Sequence, residues 1–210
     1  MTKLWLATTN QGKLREFSTL MRDLAVEIHS LREISYYTPP PENGSSFLQN
    51  ARIKARGFRA VKPEDWVAAE DSGLEVDGLN KLPGIHSARY AGERASDAEN
   101  NAKLLKMLQI RSPQNRQARF VCCLVVLSPQ GEEYVFEGVL SGTIAIKAQG
   151  KEGFGYDPVF IPDDHQKTLA ELGVAVKNQI SHRAQAIRKL RSFLHDTLKE
   201  QAQGTRPEPG

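Results

Sequence analysis

Three acidic residues in the first third of the chain have the types and placement to hold a divalent cation. Glu42 follows a run of three prolines, and Glu70 and Asp71 follow a short apolar segment that is typical of a buried strand. Carboxylate oxygens, completed by water and phosphate oxygens, are the ligands that Mg²⁺ prefers. Carboxylates held close together also repel one another, which favours a bound cation. The sequence therefore predicts a Mg²⁺ site at Glu42, Glu70 and Asp71.

The alternative for the Glu70-Asp71 pair is a solvated turn, which Asp-Ser-Gly sequences often form. Alternation along a strand would also point residues 70 and 71 to opposite faces. A bend after the pair would bring them together, and Gly73 makes such a bend inexpensive. The apolar run itself predicts a strand that ends at Glu70.

Basic residues form a second candidate set, scattered along the chain at Lys13, Lys54, Lys177, His182 and Arg183. Each alone is typical of a solvated surface charge. Lys13, His182 and Arg183, however, fall at or near predicted helix starts, where a cation opposes the helix dipole and a bound anion relieves the conflict. The set is consistent with polyphosphate binding.

The stretch LWLATTNQGKLREF, residues 4–17, predicts a strand, a polar turn and a helix start. Free N–H groups of a first helical turn can hold phosphate. The turn is not a P-loop, because Ala7 stands where that motif has glycine and Leu14 where it has a hydroxyl residue. An ordinary connection with a surface lysine remains the alternative.

A glycine-rich segment, GFGYDP, spans residues 153–158. Its glycines free the backbone around Phe154 and Tyr156, and Pro158 holds Asp157 extended. An aromatic side chain on such a loop can stack on a nucleobase, and a carboxylate can accept a ring N–H. The alternative is a tight turn whose aromatic residues fill the core.

Hydrophobic periodicity predicts the elements that position these residues. They are strands at Leu4 to Thr8, Val26 to His29, Trp66 to Glu70 and Val159 to Ile161, a hairpin of Ala118 to Leu127 and Glu133 to Lys147, and helices at Gly12 to Leu24, from a cap at Ser45 or Ser46 to about Ala60, Ser96 to Leu108 and Ala184 to Leu198. The antiparallel hairpin added to a β-α-β start predicts a mixed sheet in an α/β fold.

The composition is that of a globular protein, with 210 residues, 40% hydrophobic residues and a formal charge of +3. We expect one domain of two lobes over residues 1–200 and a disordered tail over 201–210. The longest apolar stretch is too short for a membrane span and no signal peptide is recognisable, which predicts a cytoplasmic protein without a membrane partner. The small net charge argues against a general nucleic-acid-binding surface, so no nucleic-acid partner is expected. The adjacent Cys122 and Cys123 are expected to be packing residues on opposite faces of a strand.

Six blocks across the chain closely resemble the inosine triphosphate pyrophosphatases, enzymes that remove non-standard purine nucleotides. The blocks are ATTNQGK, ENGSSFLQNARIKA, AEDSGLEVDGL, PGIHSARYAG, GFGYDP and VKNQISHR, in this order. The resemblance implies an elongated mixed sheet flanked by helices, two lobes around a central cleft and a homodimer. It also implies Mg²⁺-dependent hydrolysis of ITP, dITP and XTP to the monophosphate and pyrophosphate, which keeps these nucleotides out of DNA and RNA.

The resemblance also implies roles for individual residues. Asp71 would accept the proton of the attacking water, and Glu42 and Asp71 would bind the metal. Lys54 and Ser72 would lie near the phosphates and the sugar. The implied phosphate grip is Thr8, Thr9, Asn10, Gln11, Gly12 and Lys13, and the implied base and triphosphate contacts are Phe154, Gly155, Tyr156, Asp157, Lys177, His182 and Arg183. Glu70 and His86 depart from the family, where aspartate and tyrosine are common.

Base selection has a physical account. A 6-keto purine presents an acceptor at O6 where adenine presents a donor, so donors at His182 and Arg183 would reject adenine. Guanine shares O6, and the sequence shows nothing that would exclude its 2-amino group. Two other functions stay open: a nucleotide-binding or RNA-binding module without hydrolysis, and a pyrophosphatase of methylated pyrimidine nucleotides.

Overall fold

The computed structural model describes the backbone of residues 2–204 and the side chains of residues 2–200. One six-stranded sheet runs in the order β2-β1-β3-β4-β5-β6. Its strands are β1 (Thr2–Leu6), β2 (Val26–Ser30), β3 (Trp66–Val76), β4 (Gln117–Leu127), β5 (Glu133–Ile144) and β6 (Phe160–Pro162). The first three strands are parallel and the rest pair antiparallel, so the predicted mixed sheet is confirmed.

Five α-helices flank the sheet in the described part of the chain. They are α1 (Gln11–Leu20), α2 (Phe47–Arg59), α3 (Asp97–Arg111), α4 (Leu169–Ile180) and α5 (His182–Gly204). Ser46 caps α2 and Ser96 caps α3, the latter in a capping box with Glu99, as the sequence predicts. None of the helices within residues 2–204 is long and apolar enough to cross a bilayer.

The first strand lies two residues earlier than predicted, and the first helix ends at Leu20 instead of Leu24. β1 ends at Leu6, because Thr8 and Asn10 already organise the start of α1. The Asn10 backbone N–H donates to Thr8 Oγ1 at 3.2 Å, and Asn10 Oδ1 accepts from the Lys13 backbone N–H at 3.0 Å. Thr8 and Thr9 therefore belong to the connection and not to the strand.

Helix α4 is missing from the sequence-based prediction. Gly173 interrupts it with φ 83°, ψ 170°, and this break hides the helical period. A local signal was nevertheless present, because Thr168 and Glu171 form a capping box at its start. The predicted disordered tail overlaps α5, which continues to Gly204. Residues 205–210 lie outside the described residues, so the prediction for them stays a prediction.

The prediction that β3 ends at Glu70 with a bend near Gly73 is wrong. β3 continues to Val76 because β4 pairs with it along its whole length, from Val67 opposite Leu127 to Val76 opposite Ala118. Gly73 instead permits close packing, since a Cβ there would lie 2.5 Å from the Gly84 carbonyl oxygen. The straight strand therefore sends Glu70 and Asp71 to opposite faces of the sheet.

Three apolar clusters make up the core. One joins α1 and α5 to one face of the sheet around Phe17 and Ile187, and another packs α2 on the opposite face around Phe58. The third surrounds Phe160 and Leu104 at the far end of the sheet, with α3 and α4. Cys122 and Cys123 are buried free thiols within β4, as expected of packing residues.

Gly138 fixes the distance between β5 and the start of α5. A Cβ at Gly138 would collide with the backbone carbonyl oxygen of His182. We expect Gly138→Ala to lower the free energy of unfolding by about 1–3 kcal/mol, as overpacking does, measured by urea denaturation. Ser141→Ala, at an exposed position of the same strand, is the control and should be near neutral. Equal stability of the two variants would contradict this packing.

Candidate active site

A cavity of about 140 Å³ lies between the core cluster under α1 and α5 and the cluster at the far end of the sheet. Its lining residues belong to the start of α1, the middle of β3, the glycine-rich loop, α4 and the start of α5. The predicted site residues on its wall are Asn10, Lys13, Ser72, Phe154, Gly155, Tyr156, Asp157, Lys177, His182 and Arg183. The structure thus brings together most of the residues assigned from the sequence to the base and the phosphates.

Arg183 is the centre of a buried ion-pair network beside this cavity. Its Nε donates to both carboxylate oxygens of Glu70, at 2.9 and 2.8 Å. Its Nη1 donates to Glu16 Oε2 at 2.6 Å, and its Nη2 donates to Ser72 Oγ at 2.9 Å. Lys13 Nζ reaches Glu70 at 2.9 Å. Every nitrogen of the guanidinium is engaged, so its plane is fixed.

Lys177 extends the network to the glycine-rich loop. Its Nζ lies 3.0 Å from Glu16 Oε1 and 2.6 Å from Asp157 Oδ2. Asp157 Oδ2 also accepts from the Phe154 backbone N–H at 2.9 Å. Counting Lys13, the network joins three cations to three carboxylates. Buried charges in such an arrangement are stable only while every partner is present.

The pKa values in the network reflect burial opposed by ion pairing. Burial would raise the pKa of Glu70, but Arg183 and Lys13 outweigh it and hold that pKa well below the usual range. Burial lowers the pKa of Arg183, but Glu70 and Glu16 outweigh burial, and the net effect is a pKa above the ordinary value. Burial raises the pKa of Asp157, an effect that the ion pair with Lys177 only partly offsets. Glu70 and Arg183 are therefore charged at neutral pH.

His182 is buried, and one of its ring nitrogens has no partner. The imidazole stacks on Phe120, with ring centroids 4.7 Å apart and planes at 7°. Burial and the nearby Arg183 and Lys177 hold its pKa well below the usual value, so it is neutral. Its Nδ1 makes no hydrogen bond to the described residues. His182 lines the cavity, and its Nδ1 is a fully buried polar atom that the rest of the described chain leaves unsatisfied at the cavity wall.

Phe154 forms part of the cavity wall directly against α1. Lys177 Nζ lies 4.0 Å from its ring centroid and the Arg183 guanidinium carbon lies 5.5 Å from it. A Cβ on Gly12 would come within 2.7 Å of the Phe154 ring. Gly12 is thus required for close approach of the aromatic ring to the first turn of α1.

A second cluster occupies the opposite face of β3. Lys54 Nζ lies 3.0 Å from Asp71 Oδ1 and 3.1 Å from Glu42 Oε2, and Asn50 Nδ2 donates to Asp71 Oδ2 at 3.2 Å. Burial raises the pKa of Asp71, and Glu42 adds to the rise while Lys54 opposes it. Burial lowers the pKa of Lys54, but Asp71 and Glu42 outweigh it and raise that pKa.

The structure does not bring all of the predicted residues together. Glu70 points away from Glu42 and Asp71, so the three acids do not converge. Within the described part of the chain, no group of three or more His, Cys, Asp or Glu side chains has the arrangement of a metal site. Thr9 and Gln11 are exposed and do not line the cavity, although Asn10 between them does.

Several residues of the site are absent from the sequence-based prediction. Glu16 bridges Lys177 and Arg183 and is buried. A signal for it existed, because an acid three residues after Lys13 lies on the same helical face. Asp97 and Asn100 of α3 also line the cavity, and no local pattern distinguishes them from solvated helix residues.

Comparisons with known proteins agree with this architecture. The chain belongs to the Ham1 family, whose profile matches residues 4–193. A protein of Bdellovibrio bacteriovorus named dITP/XTP pyrophosphatase is 56% identical over 187 residues, which cover 89% of this chain and 94% of that protein. A Bacillus licheniformis protein of the same name is 43% identical over 194 residues, covering 92% and 98%.

Solved structures have the same fold. A HAM1 protein from Coxiella burnetii superposes with a TM-score of 0.86 at 39% identity, covering 93% of this chain and all of the other. The Staphylococcus aureus Ham1 protein gives a TM-score of 0.83 at 40% identity, covering 93% and 100%. The resemblance drawn from the sequence motifs, including the α/β fold with a mixed sheet, is confirmed.

Proposed function

We propose that this protein is a dITP/XTP pyrophosphatase that hydrolyses dITP, ITP and XTP to the nucleoside monophosphate and pyrophosphate. The observation that carries the proposal is the cavity lined by neutral His182 and by the cations Lys13, Lys177 and Arg183. The names of the Bdellovibrio and Bacillus relatives support the choice of substrate. The consequence for the cell would be removal of these nucleotides before they enter DNA or RNA.

Base selection would depend on His182. The neutral imidazole carries one N–H, which would donate to the O6 acceptor of hypoxanthine or xanthine. Adenine presents an amino group there, which would leave the buried donor without a partner and cost binding energy. The Arg183 nitrogens already donate to Glu70, Glu16 and Ser72, so Arg183 contributes mainly positive potential. Phe154 would pack against the base.

Glu42 and Asp71 are the residues that would hold Mg²⁺. Their carboxylates already converge on one cationic atom, Lys54 Nζ, so they fit a small cation. Mg²⁺ is usually bound in proteins by one or two carboxylates together with substrate phosphates and water. When bound, the ion would neutralise charge on the phosphate oxygens. Glu70 is committed to Arg183 and Lys13, and we assign it no metal.

The hydrolytic step would use this chain's own residues as follows. Asp71 accepts a proton from water, and the water oxygen forms a bond to the α-phosphorus. The bond from that phosphorus to the α–β bridging oxygen breaks, and pyrophosphate leaves with the electron pair. Lys13 and Lys54, with the N–H groups at the start of α1, would hold the phosphates. The raised pKa of Asp71 makes it a stronger base than a solvated aspartate.

A panel of nucleotides tests the proposed function. We expect rapid pyrophosphate release with Mg²⁺ from dITP, ITP and XTP, and slow release from ATP, dTTP and methylated pyrimidine triphosphates. The rate of pyrophosphate release from GTP, relative to that from dITP, measures how well the 2-amino group is excluded. Turnover confined to methylated pyrimidines, or RNA binding without any turnover, would support one of the two alternative functions instead.

We also propose a cytoplasmic homodimer, on the resemblance to the inosine triphosphate pyrophosphatases. Sedimentation velocity tests it, with a species of about twice the monomer mass of 23.4 kDa expected. A monomer at all concentrations would contradict it.

A further inference from the structure

Both backbone polar groups of Gly155 are hydrogen-bonded to side chains of one helix, α3. The N–H of Gly155 donates to Asp97 Oδ2 at 2.6 Å, and its carbonyl oxygen accepts from Asn101 Nδ2 at 2.9 Å. Asp97 and Asn101 are four residues apart on α3, so both side chains lie on one face of that helix. Gly155 lies between Phe154 and Tyr156, which line the cavity.

The stability of α3 does not account for either side chain. Ser96 and Glu99 already form the capping box at the start of α3, so Asp97 is not needed as a cap. Asn101 is only 6% exposed, and its Oδ1 has no partner among the described residues. A buried amide that satisfies one atom and leaves another unpaired is a net cost to folding.

The neighbouring Asn100 differs from Asn101 because both polar atoms of its side chain are paired. Its Oδ1 accepts from the Ala91 backbone N–H at 2.7 Å and its Nδ2 donates to the Ala88 carbonyl at 3.2 Å. Asn100 is thus satisfied on both sides. Asn101 makes a single hydrogen bond, and that bond is directed at the loop that carries Phe154 and Tyr156.

Gly155 needs an external support. It has φ +63°, a left-handed conformation that neither strand nor helix pairing stabilises. α3 can provide support because Leu104 and Leu108 anchor it in the core with no exposure. A shift of Gly155 would move Phe154 out of its position between α1 and Lys177.

We propose that Asp97 and Asn101 are positioning residues that hold Gly155 in place, a pair of contacts that we call the clamp. The clamp thereby fixes the position of Phe154, the part of the cavity wall that would pack against the base. The inference rests on the proposed function and extends it, because it says that two residues of α3 contribute to the affinity of the protein for the nucleotide. The clamp acts on base binding and leaves the Asp71 cluster untouched. Loss of either hydrogen bond should therefore raise KM and leave kcat nearly unchanged.

Kinetics of four variants test the clamp. Asp97→Ala and Asn101→Leu should each raise KM for dITP about tenfold, the effect of losing one hydrogen bond to a loop, with kcat within about twofold of wild type. Asp97→Asn keeps an acceptor and should restore KM. Glu99→Ala weakens the start of α3 without touching Gly155, so it should lower stability and leave KM unchanged.

Stability separates positioning from a merely structural role. Asn101→Leu keeps the branching of the side chain, adds apolar surface and removes the unpaired Oδ1, so we expect it to unfold at the same urea concentration as wild type or higher while its KM rises. A loss of stability together with an unchanged KM would overturn the inference.

The Gly155 amide gives a readout that requires no turnover. Phe154-Gly155 is the single Phe-Gly pair in the sequence. Labelling with ¹³C-carbonyl phenylalanine and ¹⁵N-glycine therefore yields one correlated NMR signal. We expect it to be protected from solvent exchange in wild type, Asp97→Asn and Glu99→Ala, and to lose protection in Asp97→Ala. An unchanged signal in Asp97→Ala overturns the clamp.

Failure of the clamp and failure of the proposed function can be told apart. The Kd for dITP, measured in an Asp71→Asn background, should rise with KM. Loss of amide protection without a change in Kd or KM overturns the clamp alone. Wild-type protein that neither binds nor hydrolyses dITP contradicts the proposed function, and with it the assigned role in base binding.

Discussion

Replacement of Asp71 by Asn is expected to lower kcat for dITP at least a hundredfold while dITP still binds. A general base contributes on the order of 10²–10⁴ in rate, and Asp71 has a buried, basic carboxylate next to Lys54 and Glu42. Asn is nearly isosteric, and its one amide oxygen can still accept from Lys54, although the donor Asn50 Nδ2 then loses its acceptor. Pyrophosphate release measures the loss, and calorimetry measures dITP binding.

Asp77→Asn is the matched control for Asp71→Asn. Asp77 follows directly after β3 and pairs with the exposed Lys81, away from the cavity. Its replacement should leave kcat and KM at wild-type values. Retention of more than about a tenth of wild-type kcat by Asp71→Asn would contradict the assignment of Asp71 as proton acceptor.

Replacement of Glu70 by Gln is expected to cost about 3–5 kcal/mol of unfolding free energy, the penalty for breaking a buried ion pair by removing one partner. Glu70 is 6% exposed and is bound by Arg183 and Lys13. Gln would leave Lys13 without its carboxylate partner and Arg183 with Glu16 alone. Urea denaturation measures the loss. The Mg²⁺ concentration that gives half-maximal activity should not change, since Glu70 faces away from Glu42 and Asp71.

Glu75→Gln is a close control on the same strand. Glu75 pairs with Arg119 at 2.7 Å, but the Arg119 side chain is 48% exposed. Solvent-exposed ion pairs are worth at most about 1 kcal/mol. Similar losses in the two variants would contradict the network described for Glu70. A large rise in the Mg²⁺ requirement of Glu70→Gln would restore Glu70 as a candidate ligand.

Local signals in the sequence were sufficient for the helix starts and the hairpin. Ser46 and Ser96 cap helices through hydrogen bonds to residues three positions on, so their role can be recognised within a few letters. The hairpin of β4 and β5 depends on two apolar runs and one short turn. The chain reversals that build the mixed sheet are therefore readable from sequence.

Long-range pairing explains what sequence reasoning missed. β3 continues past Glu70 because β4, some fifty residues later, pairs with all of it. Glu70 is oriented by Arg183, which is 113 residues away along the chain. Neither relation has a local signature. The motif resemblance paired Glu42 with Asp71 as metal ligands and placed Lys54 near the phosphates. It did not reveal that Glu70 lies on the other side of the strand.

The most direct test of the proposed function is hydrolysis of dITP in H₂¹⁸O with Mg²⁺, followed by mass spectrometry of both products. Attack of water on the α-phosphorus predicts dIMP carrying one ¹⁸O and unlabelled pyrophosphate. Label in pyrophosphate, release of single phosphates, or no hydrolysis by folded protein would contradict the proposal that this chain cleaves dITP between its α- and β-phosphates.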